Sequence, residues 1–185
     1  MIKNKNIVVG VCGGIAAYKV CDLVSKLKYE CANVFVVMTE NATKFVSPLT
    51  FQTLSNNPVH QDMFKLIKEG EWEIDHLSLA KKCDLIVIAP ATANIIGKIA
   101  SGIADDLLTT TVLAAKSPVL IVPAMNSNMW LNKIVTENVK KLKSLGFIFV
   151  EPTTGRLACK ETGIGRMEEV DKIILEIKNI LKEKK

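Results

Sequence analysis

The chain has 185 residues, 49% of them hydrophobic and 23% charged, and carries a formal net charge of +5. That length and apolar content suit one well-packed globular domain and exclude a disordered chain. No apolar run approaches the roughly 20 residues that span a bilayer, and aromatics, at 5%, are too scarce to interleave with basic residues as nucleic-acid binders require.

Apolar, β-branched runs alternate with helical patterns along the chain. "NIVVGVC" predicts a first strand, "IAAYKVCDLVSKLKY" a helix and "ANVFVVMT" a second strand. A helix is expected at "SPLTFQTLS", and "HLSLAKKC" gives a short helix leading into the strand "DLIVIAPA". "ANIIGKIASGIA" and "DLLTTTVLAAK" follow as helices, "PVLIVPAM" as a strand and "WLNKIVTENVKKLKSLG" as one long helix. "FIFVEP" is expected as the last strand and "EEVDKIILEIKNILKE" as a closing amphipathic helix. Strands this uniformly apolar are buried on both faces, the mark of a parallel sheet covered by helices. The βαβ alternation therefore predicts a single doubly wound α/β domain over residues 1–185, of Rossmann-like or flavodoxin-like type, with right-handed crossovers.

Five cysteines (Cys12, Cys21, Cys31, Cys83 and Cys159) are odd in number and form no CxxC pair. That argues against a disulfide framework or a zinc knuckle and fits a reducing compartment. With only His60 and His76, no metal site is expected. "MIKNKNIVVG" passes from a short basic segment directly into a strand, without a signal peptide's apolar stretch, so a cytoplasmic location is expected.

In such sheets ligands bind at the carboxyl ends of the strands. The first strand runs into "GVCGGIAAYK", where Gly13 and Gly14 let the backbone approach a ligand and the next helix offers free N–H groups to a phosphate. A tight turn with glycines for packing is the competing reading. Thr39 ends the second strand as a phosphate or ribityl donor, or as a plain helix cap. Pro90, Thr92 and Asn94 suit the edge of a planar ring. Asn126, in "PAMNSNMW", offers N–H donors without a net charge, useful for holding a carboxylate that must leave as neutral CO₂; an Asx turn is the alternative. His76, at a helix start, is a candidate base near neutral pH, whereas His60 reads as structural. No GxSxG or HExxH is present, so hydrolase chemistry is not indicated.

"GGIAAYK", the histidine in "DHLSLAKKCD", "APATANIIGKIASGIADDLLT", "PAMNSNMW" and "ACKETGIGRM" stand in one order over roughly residues 5–168. This ordered set resembles the flavin-dependent cysteine decarboxylases, above all the branch that converts 4′-phosphopantothenoylcysteine to 4′-phosphopantetheine in coenzyme A biosynthesis. The resemblance implies FMN as cofactor, thioaldehyde and enethiol intermediates, and a homo-oligomer (a trimer or a dodecamer) with flavin bound between subunits. No nucleic acid or membrane partner is implied. By matching positions, Gly13, Gly14, Ile15 and Thr39 surround the phosphate, and Ala91, Thr92, Ala93, Asn94 and Ala124 line the flavin. Asp105 and Asp106 contribute from near the subunit interface. His76 is then the base, Asn126 the carboxylate anchor and Cys159 the acid, with Met125, Asn126, Met129, Lys160 and Gly163 assigned to the substrate. Cys159 would sit on a mobile flap over residues 153–167, with Gly163 and Gly165 as a hinge. Two alternatives stay open: a peptidyl-cysteine decarboxylase, which would stop at the enethiol, and a non-catalytic regulatory subunit of the same fold.

Overall fold

The structure, a computed structural model, describes residues 2–63, 75–158 and 160–183, of which 75, 76 and 183 by backbone alone. Six parallel strands form the central sheet in the order β3-β2-β1-β4-β5-β6. They are β1 (Asn6–Val11), β2 (Asn33–Met38), β3 (Val59–His60), β4 (Leu85–Ala91), β5 (Val119–Pro123) and β6 (Ile148–Phe149). The chain winds outward from β1 through β2 to β3, then returns to start the other half at β4 beside β1. That reversal is a topological switch point, and it opens a crevice beyond the carboxyl ends of β1 and β4.

Period-two alternation along β1 sorts its side chains between two helical layers. Ile7, Val9 and Val11 face the layer of α1 (Ala17–Tyr29), α3 (Pro48–Ser55) and α9 (Val170–Glu183). Val8 faces the other, built from α5 (Ala93–Ala100), α6 (Leu107–Ala114) and α8 (Lys133–Ser144). Every residue of β4 and β5 is buried, as expected for central parallel strands. Gly10, on the same face as Val8, is a notch: a Cβ there would lie 2.5 Å from Leu108 Cδ1. The missing side chain lets α6 seat against the sheet. At the opposite edge Asp84 closes the β1–β4 seam, accepting from Asn6 N and from Lys5 Nζ, each at 2.9 Å.

Three elements depart from the sequence reading. The helix expected over 130–146 is two: α7 (Ser127–Trp130), then α8, because Asn132 turns its side chain onto Ile134 N at 2.9 Å and restarts the helix as a new cap. The strand "FIFVEP" pairs with β5 only at Ile148 and Phe149. Beyond it the chain leaves through Pro152, which has no N–H to donate, into an antiparallel hairpin of β7 (Thr153–Arg156) and β8 (Thr162–Arg166). His60, read as structural, lies in β3, a two-residue strand at the edge of the sheet that no apolar run announced.

Gly10→Ala should destabilise the fold by about 1–3 kcal/mol through overpacking. Combining it with Leu108→Ala should cost less than the sum of the two single changes, because the same atoms collide. A double-mutant cycle in urea checks this; strict additivity would remove the notch from the account.

Candidate functional site

A cleft of about 1250 Å³ lies beyond the carboxyl ends of β1 and β4. It is bounded by the Gly13–Gly14 turn, by the starts of five helices and by the β7–β8 hairpin. Four of those helices are capped by their own side chains. Thr39 Oγ1 accepts from Ala42 N (3.3 Å) at α2 (Glu40–Thr43), Thr92 Oγ1 from Ile95 N (3.3 Å) at α5, Asp106 Oδ1 from Thr109 N (2.8 Å) at α6, and Asn126 Oδ1 from Asn128 N (2.8 Å) at α7. The fifth, α1, starts at Ala16 with no side-chain cap and no acidic residue in its first turn. Within that turn Ala17 N donates to Gly14 O at 2.9 Å and Lys19 N to Ala16 O at 3.0 Å, so what the end offers a ligand is chiefly its positive dipole, which favours an anion.

The two glycines of the turn differ. A Cβ at Gly13 would lie 2.4 Å from Asn41 Cβ and 2.9 Å from its carbonyl carbon, so Gly13 is needed for the turn to pass α2. At Gly14 the nearest atoms are 3.7 and 3.9 Å away, ordinary contacts, and this residue faces the cleft. Packing thus accounts for Gly13, and both glycines line the cleft.

Of the residues singled out in the sequence, Gly13, Gly14, Ile15, Thr39, Thr92, Ala93, Asn94, Asp105, Asp106, Ala124, Met125, Asn126 and Met129 share this cleft. Four do not line it, the first being Pro90, which is buried in β4. Ala91 is wholly buried and acts through its carbonyl, which accepts from Ala124 N at 3.0 Å and ties the two strand ends together. Lys160 is exposed in the hairpin turn at φ +69°. Gly163 packs against α7, where a Cβ would meet Ser127 Oγ at 2.2 Å. The side chain of His76 and the whole of Cys159 lie outside the described residues; the backbone at 76 falls in the first turn of α4 (Asp75–Lys82).

Gly163 and Gly165, expected as a hinge, both make close packing contacts in this conformation. Gly165 adopts φ +139°, and a Cβ there would lie 2.1 Å from Met125 O. Its own carbonyl accepts from Met125 N at 2.9 Å. The hairpin thus lies backbone to backbone on the segment that carries Asn126. Asn126 itself fulfils the Asx-turn reading with its oxygen, which fixes the orientation of its amide at the start of α7.

Charge in the cleft is mostly settled internally. Lys98 Nζ sits 2.7 Å from Asp105 and 3.3 Å from Asp106. The hydrogen bond to Lys98 holds the Asp105 carboxyl below its usual range, and the same contact raises Lys98. Cys12, on the cleft wall, is buried, and desolvation with the nearby Asp106 charge pushes its thiol from 9.0 up to about 12. It is a neutral packing group under the glycine turn.

Comparison with known proteins follows this geometry. Residues 1–182 match the family described as Flavoprotein. The chain belongs to that family. It is 52% identical over 174 residues to the coenzyme A biosynthesis bifunctional protein CoaBC of Bacillus subtilis, covering 94% of this chain and 42% of that protein. The CoaBC of Borreliella burgdorferi is 46% identical over 184 residues, 100% of this chain and 46% of that one. The chain thus spans under half the length of these curated relatives. Among solved structures, a PPC decarboxylase mutant complexed with pantothenoylaminoethenethiol superposes with a TM-score of 0.85 at 29% identity, covering 97% of this chain and 100% of that one. The FMN-dependent cysteine decarboxylase SpaF gives 0.83 at 30%, covering 99% and 98%.

A flavin suits the flavoprotein cleft on its own geometry. The volume exceeds the ~300–1,000 Å³ of ordinary ligand pockets, which leaves room for a tricyclic ring, and the uncapped α1 turn can receive a phosphate. Sequence reasoning missed Lys19, Lys98, Arg156 and Arg166, which also line the cleft. One signal was available for Lys19: a basic residue in a helix's first turn runs against the dipole.

Cys12 should resist iodoacetamide at pH 8 in the folded protein while the exposed Cys31 reacts. Because its thiol is raised on folding, the unfolded chain ionises first, so Cys12 should make stability fall as pH climbs from 9.0 towards about 12 and contribute no slope below. Comparing alkaline melts with Cys12→Ala reads that slope. Equal slopes in both would show that the thiol is not buried.

Proposed function

We propose that this chain is the FMN-dependent decarboxylase that converts 4′-phosphopantothenoylcysteine to 4′-phosphopantetheine in coenzyme A biosynthesis. The observation that carries it is the meeting, in one cleft, of an uncapped helix start, a cap-oriented Asn126 amide and a hairpin laid across the Asn126 segment. The family match and the CoaBC and PPC decarboxylase likenesses support the same reading.

A carboxylate beside a thiol-bearing carbon does not leave as CO₂ without somewhere to put the electron pair. FMN, when bound, supplies reversible two-electron oxidation of that carbon. The chain's residues do the rest. Gly14, Ile15 and the α1 N–H groups seat the cofactor phosphate beside Thr39, and Thr92, Ala93, Asn94 and Ala124 border the ring. Asn126 donates N–H to the substrate carboxylate, orienting it without the full positive charge that would oppose its departure. His76 would take the proton that the thiol gives up as its carbon is oxidised, and Cys159 would supply a proton to carbon as the enethiol is reduced to the saturated product. The β7–β8 hairpin covers the cleft during turnover and excludes water from the reactive sulfur intermediate.

The assembly is proposed as a homotrimer, free or built into a dodecamer. Ile15, Tyr18 and Met129, on the cleft rim, are 59%, 60% and 47% exposed, an apolar edge that a neighbouring subunit would cover. A reducing cytoplasm fits the free thiols at Cys12, Cys21, Cys31 and Cys83.

Purified protein should carry about one FMN per chain and release CO₂ from 4′-phosphopantothenoylcysteine. Release only from a peptide with a C-terminal cysteine would favour the peptidyl-cysteine alternative, and flavin binding without any release the regulatory one. Asn126→Asp keeps the helix cap, since Asp caps as well as Asn, but sets a negative charge against the carboxylate. It should fold, bind flavin and lose CO₂ release by roughly a hundredfold or more; turnover near wild type would refute the anchor role. Cys159→Ser should still release CO₂ but yield the enethiol, detected by mass spectrometry as a product two hydrogens lighter. Normal saturated product from that variant would exclude Cys159 as the acid.

A further inference from the structure

Lys19 is electrostatically misplaced as the chain stands. It is the third residue of α1, in the first turn, where the helix dipole disfavours a cation. Its Nζ is buried and has no hydrogen-bond partner among the described residues. An ammonium in that state has lost its water without gaining an acid, which is strongly unfavourable. The side chain lines the same cleft as Gly14 and Ile15.

Other charges in the cleft do not share this condition. Lys98 is held by Asp105 and Asp106, and Arg166 by Glu169. Arg156 is exposed on β7 and can be satisfied by water. Among the acids, Asp105 and Asp106 face Lys98, and Glu40 lies 3.9 Å from Lys44. No carboxylate among the described residues pairs with Lys19.

Both penalties on Lys19 disappear if an anion sits between its ammonium and the uncapped α1 turn. A phosphate monoester is the matching group: it carries close to two negative charges near neutral pH and three acceptor oxygens, enough to meet the ammonium and the positive end of the helix together. We infer that Lys19 is the counter-cation of a phosphate monoester bound at the α1 end of the cleft, and so selects phosphorylated over unphosphorylated ligands. The inference rests on the proposed function only for its two candidate sources, the phosphate of FMN and that of the substrate.

The test compares the wild-type chain with Lys19→Met, Lys19→Gln and Lys19→Arg. The first arm measures FMN and riboflavin affinities by flavin fluorescence. The second measures KM for 4′-phosphopantothenoylcysteine and for its unphosphorylated analogue. Loss of a charge-assisted contact should shrink the preference for the phosphorylated member by about tenfold to a hundredfold in the neutral variants. The Arg variant should retain most of that preference. A change in the first arm assigns the cofactor phosphate, and a change in the second the substrate phosphate. The third arm needs neither flavin nor substrate, and so reads Lys19 even if the proposed reaction is wrong. Inorganic phosphate should raise the melting temperature of the wild type and of Lys19→Arg, but not of the neutral variants. If Lys19→Met fails to fold, Lys19→Gln and Lys19→Arg decide. Preferences and phosphate-induced shifts that are the same in neutral and charged forms would overturn the inference.

Discussion

Two-sided burial of β1 and β4 is the constraint from which the site follows. A strand covered by helices on both faces has no place along its length for a polar side chain, because each would need a partner inside the core. Polar chemistry can therefore begin only where the strands stop. In this chain the carboxyl ends of β1, β2, β4 and β5 lead into Gly13–Gly14, Thr39, Thr92 and Asn126. The crossover at β1–β4 holds the flanking helices apart so that these ends border an open cleft.

Capping then divides the helix starts into two kinds. Thr39, Thr92, Asp106 and Asn126 satisfy the first turns of α2, α5, α6 and α7 from within, making those ends rigid borders. The α1 end has only Ala16 before it and a lysine with no acid beside it. A helix end left this way is less stable in isolation, a deficit that an anion bound there would offset. The same cap that steadies α7 fixes the orientation of the Asn126 amide at the cleft.

Close backbone approaches supply the rest of the precision. Gly10 admits Leu108, Gly13 admits Asn41, and Gly165 lets the hairpin lie against Met125. Each joins segments far apart in the chain. Together they bring α6, α2 and the hairpin close around the cleft, since a methyl group at Gly13 or Gly165 would collide with backbone and one at Gly10 with the Leu108 side chain.

Fold class, the order of most elements and the family were legible in the sequence, because apolar period and ordered motifs are local properties of the chain. The runs "NIVVGVC" and "DLIVIAPA" declare buried parallel strands without reference to anything else, and "PAMNSNMW" carries its cap within two residues. What tertiary structure alone decided are the features that depend on distant neighbours. β3 exists because β2 offers it an edge. Gly165 is a contact to Met125 and Gly13 a contact to Asn41, distinctions that no spacing encodes. Nothing in the sequence around Lys19 shows that folding buries its ammonium without a partner among the described residues. The physical reason is common to all four: periodicity reports which way a side chain faces, whereas what it meets there is set by segments that only the folded chain brings together.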